Sequence, residues 1–150
     1  MSLAVRWRAF SGMSPSELYG ALGLRQAVFV VEQNCAFLDA DGFDVDAIHG
    51  LGHDESGKLV AVARILPPGS KHAVPSIGRV AVATNVRGYG YGRSIMAAAL
   101  AETRRLYPHS PVPIDAQAYL EKFYASFGFV RSSEPFDEDG ILHIAMTYDA

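Results

Sequence analysis

The run Arg87-Gly88-Tyr89-Gly90-Tyr91-Gly92 lies between an apolar stretch, Ile77 to Val82, and a helical stretch, Arg93 to Tyr107. Glycine has no Cβ and tolerates positive φ, so backbone in such a run can approach a ligand closely. The first amides of the following helix have no partners within it, and the helix dipole makes that end receptive to anions. The chemistry implied is capture of a diphosphate. Spacing excludes two common versions of that capture. A G-x-G-x-x-G fingerprint counted from Gly88 needs glycine where Arg93 stands, and counted from Gly90 where Ile95 stands. A P-loop needs Gly-Lys-Ser/Thr, a triplet the sequence lacks. What remains is Arg-x-x-Gly-x-Gly, filled by Arg87, Gly90 and Gly92.

Other polar residues interrupt apolar patterns. Arg25 and Glu32 share a helical stripe with Leu18, Leu22 and Phe29. Either they lie at the margin of the stripe with their heads in water, or the helix lines a pocket. Arg79 breaks the strand Ser76 to Val82, reaching for an edge or for a cleft. Asp39, Asp41, Asp44 and Asp46 fail as a calcium loop, because Phe43 and Asp44 stand where an EF-hand needs Asp or Asn and then Gly. A solvated acidic loop is the favoured reading of this segment, ahead of a negative rim that attracts an amine. Tyr124 sits between Phe123 and Phe127, as core aromatic or as site residue.

Composition bounds the class. The chain has 150 residues, 49% hydrophobic and 19% charged, which suits one soluble domain, residues 1–150, with a sizeable core. A formal charge of −3 argues against sequence-independent nucleic-acid binding. No apolar run reaches membrane-spanning length and no leader precedes the first strand, so a reducing cytoplasm is the expected location. The single cysteine, Cys35, excludes an intramolecular disulfide and a cysteine metal cluster, and no metal is expected.

The positioning elements follow from periodicity. Val5 to Phe10 alternates as a strand. Ser14-Pro15-Ser16-Glu17 reads as a capping box that starts a helix. Ala47 to His53 and Lys58 to Leu66 form a hairpin, with Val60 and Val62 on one side and Ala61 and Ala63 on the other. Ser76 to Val82 is apolar enough for a strand covered on both faces. Val112 to Gln117 is a further strand. Tyr119 to Phe127 is a short helix closed by Gly128. Phe129 to Ser132 and Ile141 to Tyr148 make a last hairpin. The order predicts an α/β (α+β) fold with a central mixed sheet and helices on both faces.

Three motifs resemble one superfamily. Arg87 to Gly92 resembles the acyl-CoA pyrophosphate loop of GNAT N-acetyltransferases. Arg25-Gln26-Ala27-Val28-Phe29-Val30-Val31-Glu32-Gln33 and the acidic segment before His49 look like ElaA-like proteins, a GNAT subfamily. Gln117 to Phe129 looks like the family's Asn-x-x-Ala-x-x-Phe-Tyr-x-x-x-Gly-Phe segment, with Gln117 and Leu120 in place of the usual Asn and Ala. The resemblance implies the GNAT fold and acetyl-CoA as cosubstrate. It implies acetyl transfer to a primary amine, either a small molecule or the lysine or N-terminus of a peptide, and it leaves a homodimer open. The implied cofactor contacts are Val80, Ala81, Val82, Arg87, Gly88, Tyr89, Gly90, Tyr91, Gly92, Arg93, Gln117, Phe123 and Tyr124, with Tyr124 beside the thioester sulfur. The strand before the glycine loop lacks the Glu that many members place there, so Glu32, His49 and His143 stand in as bases. Arg25, Glu32, Arg79 and His143 are the implied acceptor contacts. Two rival readings are an acyl-homoserine-lactone synthase, which shares the shorter Arg-x-x-Val-Phe pattern, and a non-catalytic acyl-CoA sensor.

Overall fold

The computed structural model describes residues 2–149. In chain order its regular elements are β1 (Ala4–Ala9), α1 (Pro15–Arg25), β2 (Ile48–His53), β3 (Leu59–Leu66), β4 (Ser76–Val82), α2 (Tyr91–Leu106), β5 (Val112–Gln117), α3 (Glu121–Ala125), β6 (Val130–Arg131), β7 (Phe136–Glu138) and β8 (Ile141–Tyr148). The sheet is divided. One half runs β1-β2-β3-β4; the other runs β5-β8-β6, with β7 also on β8. Among the described residues every registered pair is antiparallel, and no ladder joins β4 to β5.

Alternation along β3 sends side chains to two cores. Ala61, Ala63 and Ile65 pack with Ile95, Met96, Ala99 and Leu100 of α2. Val62 packs with Ala21 and Val28 on the α1 side, together with Leu51 and Ala81. Helices therefore cover both faces. Burying each large aliphatic side chain contributes about 1.5–3 kcal/mol. Gly50 is required on the α2 face, because a Cβ there would lie 2.6 Å from Cζ3 of Trp7.

α1 starts as its sequence dictates. Ser14 Oγ accepts from the Glu17 amide at 3.0 Å, and Glu17 Oε1 accepts from the Ser14 amide at 2.9 Å. Such a cap stabilises by roughly 1 kcal/mol. After Arg25 the winding widens to a π-helix, Gln26–Glu32. The buried stripe therefore runs Ala21, Arg25, Val28, and the expected stripe through Leu18 and Leu22 ends with Glu32 exposed. α2 begins at Tyr91, two residues earlier than expected, directly after Gly90 at φ 83°. Gly128, at φ 102°, ends the short helix as expected.

β4 departs from its expected covered state, because it lies at the division and three consecutive residues, Gly78 to Val80, are half-buried. Opposite it, the step from Val62 to Arg64 on β3 faces the longer step from Ala81 to Gly78. The extra residue is a β-bulge, with Arg79 at φ 49°. The bulge inverts the alternation. Ile77 belongs to the α2-side core, and beyond Arg79 that role passes to Val80 and Val82, while Ala81 turns to α1.

Candidate active site

The division between β4 and β5 opens a cleft of about 730 Å³. One end is framed by Val80, Ala81 and Val82 on β4, by Gly88, Gly90, Tyr91, Gly92 and Arg93, and by Gln117, Phe123 and Tyr124. No side chain caps α2, so the first-turn amides of Gly92 and Arg93 lack partners within the helix. Tyr89 does not line the cleft; its ring is half exposed and tilts against Tyr91.

Arg87 does not point freely into this end. Both of its terminal nitrogens donate to the Glu32 carboxylate, Nη1 to Oε2 and Nη2 to Oε1, and Nη2 also donates to the Val82 carbonyl at 3.1 Å. Thr84 Oγ1 adds a bond to Glu32 Oε1 at 3.2 Å. The Arg87 hydrogen bonds hold the Glu32 carboxyl below its ordinary pKa, which makes it a weaker base.

Residues after the π-helix strap the cleft from above. Gln33 and Gln117 exchange amide hydrogen bonds at 3.4 and 3.2 Å. The Cys35 thiol donates to the Asp139 carbonyl at 2.7 Å. Asp139 and Gly140 carry positive φ, the signature of a two-residue hairpin turn between β7 and β8.

Tyr124 lines the cleft, with its ring edge-on to Phe123 at 5.1 Å. Burial pushes its hydroxyl up to about 12, so it is a protonated donor at neutral pH. His143 stands opposite Gln117 in the β5–β8 register, and both line the cleft. Its Nδ1–H donates to the Ile141 carbonyl at 2.8 Å, which leaves Nε2 3.4 Å from Glu138 Oε2.

A buried ionic cluster adjoins the cleft, with Arg64 and Arg79 on its wall. Arg25 donates from Nε to Asp39 Oδ2 at 2.9 Å and from Nη1 to Asp44 Oδ1 at 2.8 Å. Arg64 holds Asp41 with both terminal nitrogens, at 2.8 and 2.6 Å, and reaches Asp44 Oδ1 at 2.9 Å. Arg79 completes it, with Nε 2.9 Å from Asp39 Oδ1 and Nη2 3.1 Å from Asp41 Oδ2. Burial pushes the Asp44 carboxyl up, but hydrogen bonds from Arg25 and Arg64 outweigh it and hold the group below its usual range. Asp41 is likewise held well below that range: burial opposes its charge, and Arg64 overcomes the penalty.

This cluster corrects several expectations. The acidic segment is not a solvated loop; Asp39 and Asp44 are buried against arginines. Arg25 is neither at a wet margin nor on the cleft wall, because its guanidinium is consumed by Asp39 and Asp44. His49 also lies outside the cleft. It stands opposite Arg64 in the β2–β3 register, and its Nε2–H donates to the Asp44 carbonyl at 2.8 Å. Arg64 was not singled out from sequence. Its parity with Val60 and Val62 is the signal that puts it on the α1 face beside Arg25.

Burial lowers the His49 pKa. A histidine kept neutral in this way contributes stability above its unfolded pKa of about 6.5, and that stability is lost as pH falls toward and through the folded value. Urea unfolding at pH 8 and pH 5.5 is expected to show lower stability at pH 5.5, with a smaller loss in His49→Gln. An equal loss in the variant would remove His49 as the cause.

Comparison with known proteins defines the class. The acetyltransferase (GNAT) domain model matches residues 42–150, and the chain belongs to that family. Within it the chain is ElaA-like. It is 46% identical over 138 residues to the protein ElaA of Escherichia coli, covering 91% of this chain and 90% of ElaA. The crystal structure of Escherichia coli ElaA superimposes with a TM-score of 0.91 at 41% identity, covering 99% of this chain and 100% of that one. An acyl-CoA N-acyltransferase from Pseudomonas aeruginosa also gives a TM-score of 0.91, at 38% identity, covering 98% of this chain and 99% of that one.

Proposed function

We propose that the protein transfers the acetyl group of acetyl-CoA to a primary amine. The observation that carries this reading is the joining, in one cleft, of an uncapped helix start with Tyr124 and His143. The amides of Gly92 and Arg93 and the glycine backbone suit a diphosphate. β4 from Val80 to Val82 suits the pantetheine arm, and the Val82 amide suits the thioester oxygen as negative charge develops there. An ammonium must lose a proton before it attacks. His143 takes that proton at Nε2, with Glu138 beside the resulting imidazolium. Glu32, clasped by Arg87, is the weaker base; Arg87 exchanges Glu32 for the diphosphate when the cosubstrate enters. Attack by the amine forms the C–N bond, and collapse of the intermediate breaks the C–S bond. Tyr124 gives its proton to the departing sulfur.

Binding tests the first half of this reading. Acetyl-CoA at 100 times its Kd stabilises a protein by about 2.7 kcal/mol, a rise in Tm of roughly 5–11 °C at this size. NAD and ATP are expected to give much less. Gly92→Glu is expected to abolish the acetyl-CoA response and still fold. A Cβ there meets only Val82 Cγ2, at 3.7 Å, whereas a carboxylate would repel the diphosphate. An unchanged response in the variant would move the diphosphate elsewhere.

A thiol-release screen over amines tests the second half. With an acceptor in hand, His143→Gln is expected to lower turnover by about 100-fold or more, the lower range for general-base help. Glu32→Gln frees Arg87, so it is expected to leave turnover within about threefold and to tighten acetyl-CoA binding by a charge-assisted contact's share. The reverse ranking of the two variants would return the base to Glu32.

A further inference from the structure

We propose that the acceptor carries a carboxylate as well as an amine, and that Arg79 receives that carboxylate, which makes the acceptor a free amino acid. This rests on the acetyltransferase reading above and names its acceptor class.

Arg79 owes its position to the bulge. Regular alternation would place residue 79 with Ile77 in the α2-side core; its left-handed backbone, φ 49°, aims it at the cleft instead. The guanidinium is then fixed between two rings, 5.8 Å from the centroid of Phe29 and 5.7 Å from that of Phe37. Its side chain is 20% exposed, whereas those of Arg25 and Arg64 are 3% exposed. It is the arginine of the cluster that offers surface to a ligand.

Its charge is also the least compensated of the three. Asp39 gives Oδ2 to Arg25, and Asp41 gives both oxygens to Arg64, so Arg79 takes second place on each. The Arg79 Nε contact with Asp39 Oδ1, at 2.9 Å, lacks hydrogen-bond alignment, so that nitrogen, like Arg64 Nε, has no hydrogen-bond partner among the described residues. Nη1 has no protein partner among the described residues, while Nη2 carries the bonds to Asp41 and to the Asp39 carbonyl. Burial, and then the charge of Arg64, lower the Arg79 pKa below its ordinary value. An anion arriving from the cleft would restore what the shared aspartates leave undone.

The same half of the cleft carries the opposite charge on its other wall. Glu138 lines it beside His143, while Asp115, also on the lining, is paired with Lys71 at 3.7 Å. One wall therefore presents a guanidinium and the other presents the Glu138 carboxylate and the base. A zwitterion with its carboxylate at Arg79 and its amine toward His143 matches both walls. An internal lysine of a protein, flanked by neutral amides, leaves Arg79 unanswered. Arg79 immediately precedes Val80, so this wall adjoins the segment assigned to the pantetheine arm.

The test compares each standard amino acid with its own C-terminal amide in thiol release from acetyl-CoA. At least one amino acid is expected to exceed its amide in kcat/KM by about 10- to 100-fold, the range of a hydrogen bond to a charged group. Arg79→Gln should erase that preference by raising KM for the acid alone, and Arg79→Lys should restore part of it; circular dichroism and acetyl-CoA binding show whether each variant is folded. An equilibrium readout stands beside turnover: with CoA present, an N-acetylated amino acid should raise the Tm of the parent and its N-acetylated amide should not. Equal use of acids and amides, a preference surviving in Arg79→Gln, turnover confined to lysine peptides or simple amines, or no response to any N-acetylated amino acid would each overturn the proposal. Failure of acetyl-CoA itself to bind would instead overturn the acetyltransferase reading.

Discussion

Arg25→Met is expected to destabilise the fold by about 3–5 kcal/mol, because removing one partner of a buried ion pair strands the others. Methionine keeps most of the apolar stem, so the loss isolates the guanidinium. Arg25 bridges Asp39 and Asp44, both buried, and without it Arg64 and Arg79 must serve three carboxylates. Against a total stability of about 5–15 kcal/mol, such a loss is large. Urea unfolding at pH 7 measures it. Arg105→Met, which removes an exposed pair with Glu102, is the control and is expected to change stability by less than about 1 kcal/mol. A loss below about 1 kcal/mol in Arg25→Met would show that the cluster does not hold α1 to the sheet. The cluster also has an acid limit with a definite sign. Asp41 and Asp44 are held below their unfolded values, so their contribution is present above about pH 4 and is lost as pH falls through the lower folded values.

Tyr124→Phe is expected to lower turnover by about 100-fold, the lower end of general-acid effects, since a thiolate is already a tolerable leaving group. Burial keeps the hydroxyl protonated well past neutrality, so it can donate as charge gathers on sulfur. The substitution removes one oxygen and keeps the ring that meets Phe123 and Phe129 edge-on. Acetyl-CoA affinity should hardly move, and stability should change by no more than about 1.5 kcal/mol. A purely packing role for Tyr124 gives the reverse outcome: altered Tm and intact turnover per folded molecule. Turnover within twofold of the parent would remove Tyr124 from the reaction.

Local chemistry was legible in the sequence where neighbours in the chain decide it. The capping box at Ser14, the alternation of β3 and the glycine ending the short helix need only nearby residues, and the structure has each of them. The glycine loop was legible because no other short pattern combines its spacing with a strand before and a helix after. What stayed hidden depends on residues far apart in the chain. Asp39, Asp41 and Asp44 read as a wet loop until Arg25, Arg64 and Arg79 converge on them from one helix and two strands. The bulge at Arg79 adjoins Gly78, a glycine inside a strand that hints at such a break, but the left-handed backbone falls on Arg79 and is held by tertiary contacts. The π-winding after Arg25 shifts the helical register, so a stripe drawn at ordinary helical spacing ends on Glu32 in solvent. Arg87 and Glu32 were each assigned a separate task, and only the fold shows them gripping each other.

The divided sheet also sets how the molecule should yield under load. Each half has its own ladder of backbone bonds, and none crosses from β4 to β5 among the described residues. Near the top of the gap the link is made by side-chain ties from one short stretch of chain, Gln33 to Gln117 and Cys35 to Asp139. Side-chain ties open more readily than ladders, so thermal agitation should part the molecule along this line first. A molecule lodged in the gap touches both halves at once and acts as a crosspiece. Its effect should therefore extend beyond the atoms it touches, slowing amide exchange along β4 and β5 together, whereas β1 and β2, on the far flank, should exchange as before.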